Sequence, residues 1–198
     1  MGTSTVLDGH RVPRATKVPR NRRGVCRTGT CRHWGYYRRV SDELFVPEGF
    51  TVPHGLTAGD FRLSPLGPQH NESDYAAWTA SLDHIRATPG FGGRRWPHEM
   101  SLDDNLHDLE EHARDFAGRR GFTYTVLSAG TGDGDVIGCV YIYPPSGRAP
   151  GGAGARHADV RSWVRADHAA LDLTLHDVVL AWLERDWPFD SVDYAART

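Results

Sequence analysis

A chain of 198 residues with 39% hydrophobic content is long enough for one substantial core plus a tail, and too short for two full domains. Its formal charge of −2 conceals an asymmetry: residues 1–40 hold 10 of the 23 basic residues and one acid, Asp8, so the remainder carries 13 basic against 24 acidic residues. No run of 18 apolar residues exists, which excludes a transmembrane helix on length, and three cysteines exclude a disulfide framework and favour a reducing, cytoplasmic setting.

Residues 1–43 mix Gly, Pro, Thr and Arg with few aliphatics and no period of 2 or 3.6, so a basic, disordered tail is expected. Arg11, Arg14, Lys17, Arg20, Arg22, Arg23, Arg27 and Arg32, with Trp34, Tyr36 and Tyr37, have the makings of a nucleic-acid-binding arm. Cys26-x4-Cys31-x-His33 offers three metal ligands where a structural zinc site needs four. A solvated tail without nucleic acid or metal is the reading taken, with a native start near Val40 or Val46 as a further alternative. Arg22-Arg23 is not followed by the apolar stretch of an export signal.

From Phe45 the texture becomes that of a folded body. Residues 60–67 alternate Phe61 and Leu63 and read as a short strand ended by Pro65 and Gly67. Tyr75, Trp78, Leu82 and Ile85 share one helical face behind the N-cap residues Asn71 and Ser73, and that helix stops at Pro89-Gly90. A second helix is capped by Ser101, carries Leu102, Leu106, Leu109, Ala113 and Phe116 as its stripe, and is expected to end with Gly121 as the left-handed residue. Two β-rich runs, 122–129 and 135–144, flank a glycine-rich hairpin signal at 130–134. Cys139, inside the second run, reads as a small buried thiol.

After a flexible Gly/Pro loop comes an alternating strand, with Val160, Ser162 and Val164 on one face and Arg161, Trp163 and Arg165 on the other. It runs through a short turn into a helix marked by Leu171, Leu175, Val178, Val179, Trp182 and Leu183. A strand ending at a helix start aims several backbone N–H groups at one point, which suits a phosphate. Residues 189–196 close as a last strand. Its outer edge is unpaired, and a homodimer across it is expected.

The order β-α-α-β-β-β-α-β over residues 60–196, together with Trp163-Val164-Arg165-Ala166-Asp167-His168 at the strand end, resembles the acetyl-CoA-binding core of the GNAT (Gcn5-related) N-acetyltransferases. The family's loop reads Arg/Gln-x-x-Gly-x-Gly/Ala; here the first position is Ala169 or a near neighbour, and the two glycine positions fall on Ala170 and Asp172. The resemblance implies an α/β (α+β) fold with a mixed, mostly antiparallel sheet and helices on both faces, filling residues 44–198. It implies an N-acetyltransferase that moves an acetyl group from acetyl-CoA to a small-molecule or peptide amine, with no metal and no membrane partner. Pantetheine would lie on the backbone of Trp163, Val164 and Arg165, and pyrophosphate over Ala170, Leu171, Asp172 and Leu173.

Acetyl transfer needs a base for the attacking amine. Asp159 and Tyr141 are the candidates taken, with His157, His168 and Tyr143 as neighbours. Asp172 either brings a like charge towards the phosphates or caps the helix. In many family members a further helix carries a tyrosine that protonates the departing thiolate, and no such helix follows residue 196 here. A catalytically inactive GNAT-fold binding or regulatory module is therefore the alternative.

Overall fold

Phe61, Leu63, Phe122, Tyr124 and Val126 alternate with polar or smaller residues, and each strand they mark lies beside the next in the chain. A computed structural model describes residues 45–129, 134–145 and 156–197. The tail over 1–43 with its cysteines and arginines, the hairpin glycines at 130–133 and most of the Gly/Pro loop lie outside the described residues.

The elements are β1 (Leu56–Ala58), β2 (Phe61–Pro65), α1 (Asn71–Thr79), α2 (Leu82–Ala87), α3 (Leu102–Ala117), β3 (Phe122–Ser128), β4 (Val136–Tyr143), β5 (His157–Val164), α4 (Asp172–Asp186) and β6 (Ser191–Tyr194). The strands form one sheet in the order β1-β2-β3-β4-β5-β6. Every neighbouring pair is antiparallel except β5 and β6, which run parallel. A parallel pair needs a long crossover, and α4 supplies it. The mixed, mostly antiparallel sheet is the one expected from the sequence, with β1 as an unforeseen addition.

Two expectations change in detail. The single helix expected to run to Pro89 is broken into α1 and α2 at Ser81 (φ −130°, ψ 16°). Ser81 is buried, and its Oγ accepts the N–H of Ala166 at 3.0 Å, so a tie to the turn beyond β5 outweighs one more turn of helix. Helix α3 starts as expected, with Ser101 and Asp104 bonded reciprocally, Ser101 Oγ taking the Asp104 N–H at 3.0 Å. It ends at Gly118, and the left-handed residue is Arg119 (φ 55°), not Gly121. Arg119 is held there by its guanidinium, which donates to Pro47 O (2.7 Å) and Phe50 O (2.6 Å). Gly121 has a different duty: a Cβ there would overlap the ring of Tyr143.

The sheet divides two apolar clusters. Phe122, Tyr124, Val126, Val140, Ile142, Val160 and Val164 face Leu175, Val179, Trp182 and Leu183 of α4. On the opposite face Leu127, Cys139 and Trp163 meet Ala77 and Trp78 of α1, Ile85 of α2, Leu109 of α3 and Phe91. Helices thus cover both faces. No described helix is long and apolar enough to cross a membrane.

Candidate active site: the fork between β5 and β6

β6 is half as long as β5. Its four residues pair with His157, Ala158, Asp159 and Val160, the last partner of Val160 being Tyr194, and β5 then runs on alone to Val164. The Arg165 N–H donates to Ile137 O at 2.7 Å, which fixes the alternation: the backbone groups of Arg165, Trp163, Arg161 and Asp159 turn towards β4. Those of Ser162 and Val164 turn the other way, into the fork. Of the three residues named from sequence for a backbone contact, only Val164 therefore offers its main chain to the fork, and Ser162 joins it.

The side chains around this fork are polar and tightly connected. Ser162 Oγ bonds the Tyr194 hydroxyl, whose ring lies 4.3 Å from that of His176 of α4, tilted by 37°. Burial pushes the Tyr194 hydroxyl up to about 12, so it keeps its proton at neutral pH. Arg197 enters from beyond β6: its Nη2 donates to Ser162 O (3.0 Å) and Ser162 Oγ (3.1 Å), and its Nε to Asp172 Oδ2 (2.7 Å). The arginine side chain is 3% exposed. Nothing in the sequence marks it, since a single arginine after a strand has no pattern.

Beyond Val164 the chain does not pass straight into α4. A 3-10 turn, Ala166–Leu171, runs into the helix without a gap. The Ala166 N–H goes to Ser81 Oγ, the His168 N–H to Arg165 O at 2.8 Å, and the Asp172 N–H to Ala169 O. These donors are already engaged within the protein rather than converging on one point. Leu171 holds the cap position without a side-chain bond, and Asp172 is the first helical residue, so it is not the N-cap. Its carboxylate pairs with Arg197 instead. Ala170 and Leu173 are exposed. Arg165 grips Asp167 with two bonds of 2.6 and 2.8 Å, and this, with His168, holds the Asp167 carboxyl well below the usual range.

The α1–α3 face of the same strands carries the residues named for catalysis. Tyr143 is the register partner of Asp159, and Tyr141 of Arg161, so all four side chains share that face. Asp159 lies 3.5 Å from Arg161 Nε and 3.8 Å from Arg94. The Tyr141 hydroxyl accepts the indole N–H of Trp163 at 3.2 Å, and burial pushes its pKa well above that of free tyrosine. So placed, the phenol is held in its protonated form. His157 shares Asp159's face of β5 and bonds Ser191 Oγ, whereas His168 lies in the turn beyond the strand and bonds Asp167.

His112, which sequence reasoning passed over, belongs to this face. Its Nδ1 lies 2.8 Å from the Tyr143 hydroxyl and 3.1 Å from Thr123 Oγ1, and burial lowers its pKa to about 4, leaving a neutral ring. The signal was available: Asn105, Leu109, His112 and Phe116 are spaced i, i+4, i+7 and i+11, and this stripe, not one through the exposed Leu102, faces inward. Among the described residues, no three His, Cys, Asp or Glu side chains are grouped to hold a metal ion.

No family model matches this chain, and none of the curated proteins does. Solved structures do. A Bordetella pertussis protein described as a GNAT-family acetyltransferase aligns at 14% identity and a TM-score of 0.50, over 72% of this chain and 78% of its own. The microcin C7 self-immunity acetyltransferase MccE, in complex with acetyl-CoA and AMP, aligns at 11% identity and 0.47, over 67% and 68%. The ribosomal-protein-S5-alanine acetyltransferase of Vibrio fischeri aligns at 10% and 0.48, over 65% and 66%. At such identities the likeness is one of fold.

Proposed function

Given that this chain has the GNAT fold, we propose that it is an N-acetyltransferase transferring an acetyl group from acetyl-CoA to an amine. The observation that supports this most is the fork: β5 outruns β6 and presents the backbone of Ser162 and Val164 beside the turn that leads to α4. An unpaired strand edge of that kind suits the amides of pantetheine, which pair with backbone as another strand would.

Acetyl-CoA, when bound, supplies the activated acetyl group. In this reading the main chains of Ser162 and Val164 hold its arm, and Ala170, Leu171, Asp172 and Leu173 border its phosphates. Arg165 contributes positive charge there, and Trp163 fixes the strand from its buried face. Asp159 takes the proton from the amine as nitrogen bonds to the acetyl carbon and the carbon–sulfur bond breaks. Tyr141 positions the far end of the strand, beside the fork, through Trp163. The acceptor is a small-molecule or peptide amine.

The second reading is a GNAT-fold binding or regulatory module without catalysis. It is favoured by one observation: Arg197 and Asp172 already fill the fork.

Calorimetric titration of acetyl-CoA, with CoA in parallel, into the full chain at low salt separates the two. Micromolar affinity is the expected result, and release of free thiol on addition of amines follows from it. No heat at millimolar ligand would retire the acetyltransferase reading. Pairing of two copies along the outer edge of β6 belongs to the same proposal; a monomer by sedimentation at tens of micromolar would remove it.

A further inference from the structure

Long, flexible and charged, an arginine just past an edge strand would ordinarily reach into water. Arg197 does the reverse. Its guanidinium is almost wholly enclosed and ties together four parts of the chain: Ser162 of β5 through Nη2, Asp172 of α4 through Nε, and Ala195 O (2.7 Å) and Pro89 O (3.3 Å) through Nη1. The ring of Tyr194 lies beneath it, 5.5 Å from the guanidinium carbon. Planar, forked donors fixed by a carboxylate, three carbonyls and a hydroxyl leave little rotational freedom.

The position matters more than the number of bonds. Ser162 O is one of the main-chain acceptors that β6 leaves free, and the guanidinium stands on it. The loop that follows α2 is drawn in as well, through Pro89 O. The fork cannot widen between β5 and β6 without breaking the bond to Ser162 or that to Asp172.

We infer that Arg197 is a latch on the fork: its guanidinium occupies the backbone acceptor that a pantetheine amide would use, and the cofactor enters only when Arg197 leaves. This rests on the acetyltransferase reading, because it names a control on the same site. A binding-competent state populated in about one molecule in ten weakens apparent affinity about tenfold, and a substitution that abolishes the closed state recovers that factor. Asp172 loses its cation when the latch opens, so the closed state is also the one in which this carboxylate is neutralised.

The test compares acetyl-CoA affinity of the wild type, Arg197→Ala and Arg197→Lys by calorimetry, with circular dichroism melting to establish that each variant is folded. Arg197→Ala is expected to bind about tenfold more tightly. Arg197→Lys, which keeps the charge but cannot reach Ser162 and Pro89 together, should fall between the two. A second measurement uses the wild type alone: amide hydrogen exchange in residues 194–197 should rise when acetyl-CoA binds. Equal affinities in all three proteins, or unchanged exchange on binding, would overturn the latch while leaving the acetyltransferase reading intact. Failure of both the wild type and Arg197→Ala to bind at millimolar ligand would overturn both.

Discussion

Replacing Trp182 with alanine is expected to lower the unfolding free energy by about 3–5 kcal/mol, the range for a large aromatic removed from a closed core. Trp182 is 2% exposed at the centre of α4's inner face. Its ring meets Tyr124 edge-on at 5.3 Å and Trp187 at 5.4 Å, and Trp187 in turn meets Phe122 at 5.0 Å and Phe189 at 5.4 Å. Deleting the indole leaves a hole that these rings cannot fill, because β3 fixes two of them and the chain reversal before β6 fixes the others. Leu173→Ala, at the second residue of the same helix and 54% exposed, should change stability by under about 0.5 kcal/mol. Urea unfolding followed by circular dichroism measures both. A loss below about 1 kcal/mol for Trp182→Ala would show that α4 is not what closes this face.

The second large effect depends on pH and shows only when one of two residues is removed. Burial raises the carboxyl of Asp74 from 3.8 to about 6, despite the bonds from Asn105 and Cys139, while burial lowers His112 from 6.5 to about 4. The folded protein therefore holds the Asp74 proton more tightly than the unfolded chain does. The contribution of Asp74 is greatest below pH 3.8 and declines as pH rises to about 6. His112 acts in the opposite sense: its contribution is complete above pH 6.5 and is lost as pH falls to about 4. Each amounts to roughly 3 kcal/mol, and the two nearly cancel over the same window.

His112→Gln lacks the loss that His112 brings to the wild type on acidification, so its stability relative to wild type should rise as pH falls from 6 to 4.5. In Asp74→Asn the relative stability should fall over that interval. Taking the difference from wild type at each pH removes the contribution of every other titrating group. Urea midpoints between pH 4.5 and 7 give these differences; two flat differences would mean that neither group is as enclosed as its surroundings imply.

Much of the architecture could be read from residue patterns because the patterns are local. Ser101, Leu109 and Phe116 mark α3, and the alternation along 122–129 and 135–144 gives β3 and β4 without reference to anything distant. The break at Ser81 could not be read, because the group that makes it, the Ala166 N–H, lies 85 residues away. The stop at Arg119 escaped for the same reason: a left-handed arginine is held there by Pro47 and Phe50. In the site, the strand carrying Ser162 and Val164 was legible, but which of its main-chain groups face outward was not. That depends on register with β4, and one residue of slip would exchange Trp163 for Ser162. Arg197, His176 and Tyr194 come together only once α4 and β6 are both in place, so no spacing in the chain announces them.

The sequential order of the strands has a consequence for the growing polypeptide. β2 to β5 can each settle against a predecessor that is already made, but β6, being parallel to β5, must wait until all of α4 has been synthesised and laid back. Until α4 has been laid back and β6 added, the outermost strand, β5, offers Val160, Ser162 and Val164 along a bare edge. The interval between docking α4 and adding β6 leaves that edge open to pairing with the wrong neighbour, and it ends with the same few residues that complete the fork.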